Sequence, residues 1–246
     1  METNEWFKDW FDSKYYHILY QNRNDEEAAN FLNKLVELFK PRQDCEIIDL
    51  ACGKGRHSIY LNSLGYKLTG VDLAEQSILA AKIFENTRLQ FEVQDLRNLQ
   101  LNHKFDIALN LFTSFGYFDS METNKMVLKS IHSILNENGS LLIDFLNIKH
   151  VKKIMKPFEI KIESGIEFQI SKKIEDNKII KDIRFTDQGH DFHFQENVQA
   201  LCLDDFTKML EESGFKPLKF YGNYNLDEYN PDESERLIIL SARQDA

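Results

Sequence analysis

Ile47-Ile48-Asp49-Leu50-Ala51-Cys52-Gly53-Lys54-Gly55-Arg56-His57-Ser58 is the stretch whose reading decides the fold. An apolar run ends at Asp49, small residues follow at Ala51, Gly53 and Gly55, and a helix begins near Arg56. Small residues let the backbone approach a ligand closely at the carboxyl end of a strand, where open α/β sheets bind their ligands. By itself Gly-x-Gly equally describes an ordinary strand-to-helix turn, so the flanking sequence must decide.

Outward from this loop the pattern alternates. Glu46–Asp49 reads as a buried strand and Ser58 to Leu64 as a helix stopped by Gly65. Lys67–Asp72 is a second strand, followed by a helix through Ile78, Leu79, Ala81, Lys82 and Ile83. Leu89, Phe91 and Val93 alternate as a third strand, and Phe105–Leu111 forms a fourth. A helix over Glu122–Leu135 and the turn Asn138-Gly139 lead to a fifth, Ser140–Phe145. Strands alternating with helices of this length predict right-handed crossovers and a doubly wound, mostly parallel α/β sheet.

The flanks differ from this core. Upstream, Trp10, Phe11, Tyr15, Tyr16 and Tyr20 precede a helical pattern of Ala28, Phe31, Leu32, Leu35, Val36 and Phe39, ended by Pro41. Downstream, Phe158 to Leu203 holds about three runs of period-two alternation, divided at Asp176-Asn177 and Asp187-Gln188-Gly189. These predict an inserted antiparallel meander. A helix over Asp204 to Glu212 precedes Lys216–Tyr221 and Leu237–Ser241, a strand pair closing one sheet edge, the last strand antiparallel. The expected organisation is one domain over 1–246. It comprises an N-terminal helical lid (1–40), a core (41–150), a β insertion or cap (157–203) and a C-terminal helix with a strand pair (204–246).

Three successive strands each end in or beside an aspartate. Asp72 closes the second strand, 19 residues after Gly53, where a carboxylate can accept hydrogen bonds from both hydroxyls of a ribose. Asp95 follows the third, within Gln94-Asp95-Leu96-Arg97. Gly53-x-Gly55-x-x-Ser58 approaches a dinucleotide fingerprint, but Asp49 opposes a pyrophosphate. Two unit charges ~5 Å apart at an effective dielectric of ~20 repel by ~3 kcal/mol. The same carboxylate suits a ligand carrying an ammonium and a sulfonium.

These residues resemble the class I S-adenosylmethionine-dependent methyltransferases. Asp49-x-Ala51-x-Gly53-x-Gly55 is similar to their first motif, with Ala51 in place of the commonest first glycine. The resemblance implies a seven-stranded Rossmann-like sheet and S-adenosylmethionine as cofactor. It places Asp49 near the methionine ammonium and Ala51, Gly53, Gly55 and Arg56 along the cofactor. It also implies Asp72 on the ribose, Leu73 and Leu96 against the adenine and Asp95 on its amino group. The fourth strand, with Asn110 and Phe112 at its end, would face the transferred methyl. The similarity is tight over about Glu46–Phe145 and loose over the last two strands.

The acceptor is narrowed by what is missing. Asn110-Leu111-Phe112-Thr113 does not resemble the Asn/Asp-Pro-Pro-Tyr box of enzymes acting on nucleobase amino groups, and no Pro-Cys pair supplies a cytosine-carbon nucleophile. With 30 Lys+Arg against 40 Asp+Glu the net charge is −10, which repels nucleic acid and anionic membranes. A small-molecule acceptor under the meander is therefore expected, with Tyr16, Tyr117 and Arg236 as acceptor-site candidates. Arg236 would clamp a carboxylate or phosphate, or else pair with Asp232 or Glu233. No catalytic base is named, since a methyl acceptor needs one only if it arrives protonated.

His190 and His193 in the meander have no ligand set at metal spacing beyond Asp191, so no metal is expected. The three cysteines, Cys45, Cys52 and Cys202, form no disulfide framework. Met1–Trp6 lacks the features of a signal peptide, and a cytoplasmic location is expected. The meander is alternatively a dimerisation arm, giving a homodimer, and the two roles are compatible. Competing readings are an NAD(P)-dependent oxidoreductase, a non-catalytic S-adenosylmethionine-binding module and a methyltransferase acting on a macromolecule.

Overall fold

The computed structural model describes residues 6–21 and 25–244. The segment Met1–Glu5, on which most of the N-terminal reading rests, lies outside them. In chain order the elements are α1 (Trp6–Phe11), α2 (Lys14–Leu19), α3 (Asp25–Phe39), β1 (Glu46–Leu50), α4 (Arg56–Ser63), β2 (Lys67–Asp72), α5 (Glu75–Lys82) and β3 (Leu89–Val93). They continue with β4 (Phe105–Asn110), α6 (Met121–Ile134), β5 (Leu135–Leu146), α7 (Ile148–Ile154), β6 (Phe158–Glu163), β7 (Ile166–Glu175), β8 (Lys178–Asp187) and β9 (His190–Gln199). The chain closes with α8 (Leu203–Glu212), β10 (Phe215–Tyr221) and β11 (Arg236–Arg243).

Seven strands form one sheet in the order β10-β11-β5-β4-β1-β2-β3. β11 runs antiparallel to both β5 and β10, whereas β1, β2, β3, β4 and β5 are mutually parallel. The chain order reverses between β1 and β4, the crevice where such sheets bind ligands. Apolar residues on both sheet faces meet helices. α6 and α8 bury Val127, Leu128, Ile131, Phe206 and Leu210 on one side. On the other, α3, α4 and α5 bury Phe31, Leu35, Leu61, Ile78 and Ala81.

The insertion is a second sheet, β6-β7-β8-β9, antiparallel throughout. It has four strands where the sequence pattern suggested about three. The extra hairpin turns on Ser164-Gly165, both left-handed at φ 49° and 80°, the backbone that a two-residue hairpin turn demands. Asp176-Asn177 does the same at the next turn. Ile166, Phe168, Ile170, Ile183 and Phe185 form the sheet's inner face, and Trp10, Tyr15 and Leu19 of α1 and α2 pack on it. Polar links fix the same contact: Trp10 Nε1 and Tyr20 Oη donate to Glu196 at 2.8 and 2.7 Å, and Tyr15 Oη donates to Asp187 at 2.9 Å.

Helices α1 and α2 are six residues each, too short to show a helical period in the sequence, and α7 went unread for the same reason. β5 begins earlier than expected, at Leu135, because Asn138 (φ 62°) and Gly139 occupy an irregularity in its pairing with β4 and do not precede the strand. Among the described residues no helix is long and apolar enough to cross a membrane.

Candidate active site

The loops after β1, β2, β3 and β4 open on one edge of the large sheet and enclose a cavity of about 400 Å³, within the range of small-molecule and cofactor sites. α1 and α2 form its opposite wall. Asp49 ends β1 with its side chain buried, and Ser58 Oγ, one turn into α4, donates to it at 2.6 Å. Burial, reinforced by the Asp72 charge, pushes the Asp49 carboxyl up to about 7. The Asp72 carboxylate accepts from the Gly53 and Ala74 amides, each at 2.8 Å. Burial raises its pKa too, and those amides oppose the shift.

The glycine loop is left-handed at Ala51, Gly53 and Gly55 (φ 58°, 55° and 78°). Gly55 has a second constraint: a Cβ there would lie 2.5 Å from the Phe91 ring, so α4 can start against β3 only without a side chain. Asp95 accepts from the Arg97 amide at 2.9 Å and from the Arg97 guanidinium.

The loop after β4 is the second half of the site. Phe112 and Thr113 are consecutively left-handed (φ 55° and 63°), rare for residues of this bulk. Asp144 on β5 holds them: its carboxylate accepts from the Phe112 amide at 2.8 Å and its carbonyl from the Thr113 amide at 3.0 Å. Arg236, the first residue of β11, pairs with Asp144 at 2.7 Å and donates to Thr113 Oγ1 at 2.9 Å. His57 stacks on Phe112 at 4.7 Å and 13°, and the Arg56 guanidinium lies 5.5 Å from the same ring. Tyr117 Oη donates to the Thr113 carbonyl at 2.5 Å, and the Tyr117 ring contacts Trp6 and Phe11 of α1.

Of the residues named from sequence, Asp49, Ala51, Gly53, Arg56, Asp72, Leu73, Asp95, Leu96, Phe112, Tyr16 and Tyr117 line this one cavity. Gly55, Asn110 and Arg236 do not. Gly55 caps α4. Asn110 is buried, its Nδ2 donating to the Leu50 and Ser114 carbonyls at 3.2 Å each, which splices the β1 and β4 loops together. Arg236 was expected to clamp an acceptor or pair with Asp232 or Glu233; its partner is Asp144.

Sequence reasoning missed Asp144, although a lone acid inside the apolar run Leu141-Leu142-Ile143-Asp144-Phe145 is a visible signal. It also missed the cavity-lining Phe7, His17 and Asp25, which only tertiary packing brings to the loop edge. Among the described residues there is no cluster of His, Cys, Asp and Glu suited to a metal ion.

The fold is that of class I S-adenosylmethionine-dependent methyltransferases, and residues 47–139 match the methyltransferase domain family. Over nearly its whole length the chain is similar to glycine/sarcosine N-methyltransferase of Aphanothece halophytica, 23% identical over 242 residues that cover 92% of this chain and 85% of that one. It superposes on an S-adenosylmethionine-dependent methyltransferase from Clostridium acetobutylicum with a TM-score of 0.78 at 19% identity, covering 94% and 96% of the two chains. The S-adenosylmethionine-bound CalS10, an amino pentose methyltransferase from Micromonospora echinaspora, aligns at a TM-score of 0.70 and 14% identity over 94% and 98%.

Proposed function

We propose that this protein binds S-adenosylmethionine in the cavity described above and transfers its methyl group to a small-molecule acceptor, of which an amine is the best-supported class. One observation carries the reading: Asp49 is a fully buried carboxylate raised to about 7 at the edge of a ligand-sized cavity, and among the described residues Arg56 acts on it only at a distance, with no ion pair. A buried charge is tolerated only when paired. A ligand ammonium there would supply the missing partner, whereas a pyrophosphate would add repulsion.

In this reading Asp49 holds the ammonium, Asp72 accepts from the ribose hydroxyls, Asp95 from the adenine amino group, and Leu73 and Leu96 flank the base. When bound, S-adenosylmethionine supplies an electrophilic methyl carbon on a good leaving group. The chain's own contribution is alignment and exclusion of water. Phe112, held in its strained conformation by Asp144 and Arg236, and Tyr117, tethered to Thr113, would set the acceptor wall. Tyr16 and the rest of the α1–α2 segment would act as the lid, with the β6–β9 sheet behind it as its support. His57, stacked on Phe112 and lining the cavity, would be the group to receive a proton from a protonated amine.

The amine acceptor is supported by relatives named for nitrogen and amino-sugar methylation. Calorimetry with S-adenosylmethionine, S-adenosylhomocysteine and NAD tests the cofactor assignment. Micromolar or tighter binding of the first two and none of NAD is expected, and the reverse order would refute it. Turnover of amine acceptors, followed as S-adenosylhomocysteine release, separates an enzyme from a module that only binds the donor.

A further inference from the structure

The edge strands of the two sheets differ in what they set against the approach of another strand. β10, at one end of the large sheet, carries Pro217, a pairing irregularity between Pro217 and Lys219, and lysines at 216 and 219. At the other end, the Phe91 amide of β3 is capped by Glu85 Oε1 at 2.8 Å. In the small sheet, the β9 edge is anchored to the core where Gln199 bonds the Gly116 and Phe118 carbonyls. β6 lies at the opposite edge with no proline, no irregularity and, among the described residues, no side chain on its outward amides. It exposes Phe158, Ile160 and Ile162 at 54%, 52% and 70% on one face.

The existing pairing dictates how another strand would join. Lys172 N donates to the Pro157 carbonyl at 2.8 Å, so 157 and 172 form a hydrogen-bonded pair. Antiparallel pairs alternate along a ladder, hence Glu159, Lys161 and Glu163 direct their backbone groups into β7. Phe158, Ile160 and Ile162 must therefore direct theirs outward.

We propose that β6 pairs antiparallel with β6 of a second copy of this chain, across a two-fold axis at Ile160, to give a continuous eight-stranded sheet. Only registers that set even-numbered residues against even-numbered residues satisfy the outward amides. The one centred on Ile160 gives the fullest overlap. It places Ile160 on its own copy and Phe158 opposite Ile162, so the apolar stripe is self-complementary. On the other face it sets Glu159, which also pairs with Lys172 of its own chain at 2.7 Å, opposite Lys161 of the second copy, twice, in the closer, non-hydrogen-bonded kind of pair. A one-residue slip would leave every outward amide unmatched and turn the apolar stripe onto the charged one. An interface in which the same patch meets itself is what two-fold symmetry requires.

The test is the molar mass of the full chain in solution, measured by sedimentation equilibrium up to about 100 µM, with donor binding followed in parallel. A dimer is expected. Ile160→Lys, at an exposed position, is expected to weaken it at least tenfold by placing two ammonium groups on the axis. Lys161→Glu is expected to weaken it likewise, because it sets like charges in both cross-axis pairs and leaves the Glu159–Lys172 pair within each copy in place. A monomeric wild type, or a dimer indifferent to Ile160→Lys or to Lys161→Glu, would overturn the proposal. Unchanged donor affinity in Ile160→Lys shows that the variant folds, and none of these outcomes bears on the cofactor assignment.

Discussion

Two buried aspartates at strand ends a short distance along the same sheet edge meet opposite fates. Asp144 is fully buried at the end of β5 and has Arg236 against it, two backbone amides aligned by it and Tyr224 Oη 3.4 Å away. Asp49 is as deeply buried near the end of β1, but among the described residues its hydrogen-bond partner is a neutral serine, with the Asp72 carboxylate nearby and the Arg56 charge at a distance. The first carries its counter-charge within the fold and is structural. The second has no ion pair among the described residues, and the proposed ammonium site rests on that difference. Burial alone does not distinguish a site from a brace; the missing cation does.

The largest effect should fall on the brace. Arg236→Ala leaves Asp144 buried and unpaired and should destabilise the protein by about 3 kcal/mol, a drop of roughly 10 °C in melting temperature for a domain of this size. If Arg236 instead gripped the acceptor, the melting temperature would hold and only the KM for acceptor would rise.

Asp72→Ala should come next. It deprives the Gly53 and Ala74 amides of their acceptor and removes the proposed ribose contact, weakening S-adenosylmethionine binding by about 1–3 kcal/mol in calorimetry. An unchanged affinity would place the donor elsewhere.

Asp49 provides the sharpest contrast because its stability effect has the opposite sign to that of Arg236. Its folded pKa of about 7 lies above the ordinary 3.8, so between those values the folded chain holds a proton that the unfolded chain has released. Stability contributed by that proton is present at acid pH, declines as pH rises through this window and levels off above it. Asp49→Asn should flatten the pH dependence of the melting temperature and stabilise the ligand-free protein at pH 8. It should also weaken donor binding by at least tenfold. A ligand ammonium favours the ionised carboxylate, so wild-type affinity should tighten as pH rises toward about 7, with proton release read from calorimetry in buffers of different ionisation enthalpy. A variant less stable than wild type at pH 8 would mean that Asp49 is already compensated.

The smallest expected change is at Ala51. A non-glycine residue at φ 58° is strained, and Ala51→Gly should raise stability by less than about 1 kcal/mol, strain relief being partly offset by the freer unfolded chain. A loss of stability in urea titration would show that the alanine methyl packs usefully against the loop.

Asp49, Asp72 and Asp95, with the small residues between the first two, were legible in the chain because their spacing follows local rules. A strand end, a tight turn and a helix start are set by neighbours a few residues apart, and the alternation of strands and helices fixes a parallel sheet whose loops emerge on one edge. The C-terminal pair was legible in the same way, down to the antiparallel sense of β11. The partner of Arg236 was not. It lies 92 residues away on β5, and only the sheet order that sets β11 beside β5 brings the two together. Short elements escaped as well: six residues in α1 or α2 are too few for a period to emerge, and their helical form rests on aromatic packing against the inserted sheet. Sequence determined which edge of the molecule would carry the small-residue loop and the three aspartates. Tertiary structure decided which buried charges were already neutralised, because counter-ions are assigned by distance in space and not by distance along the chain.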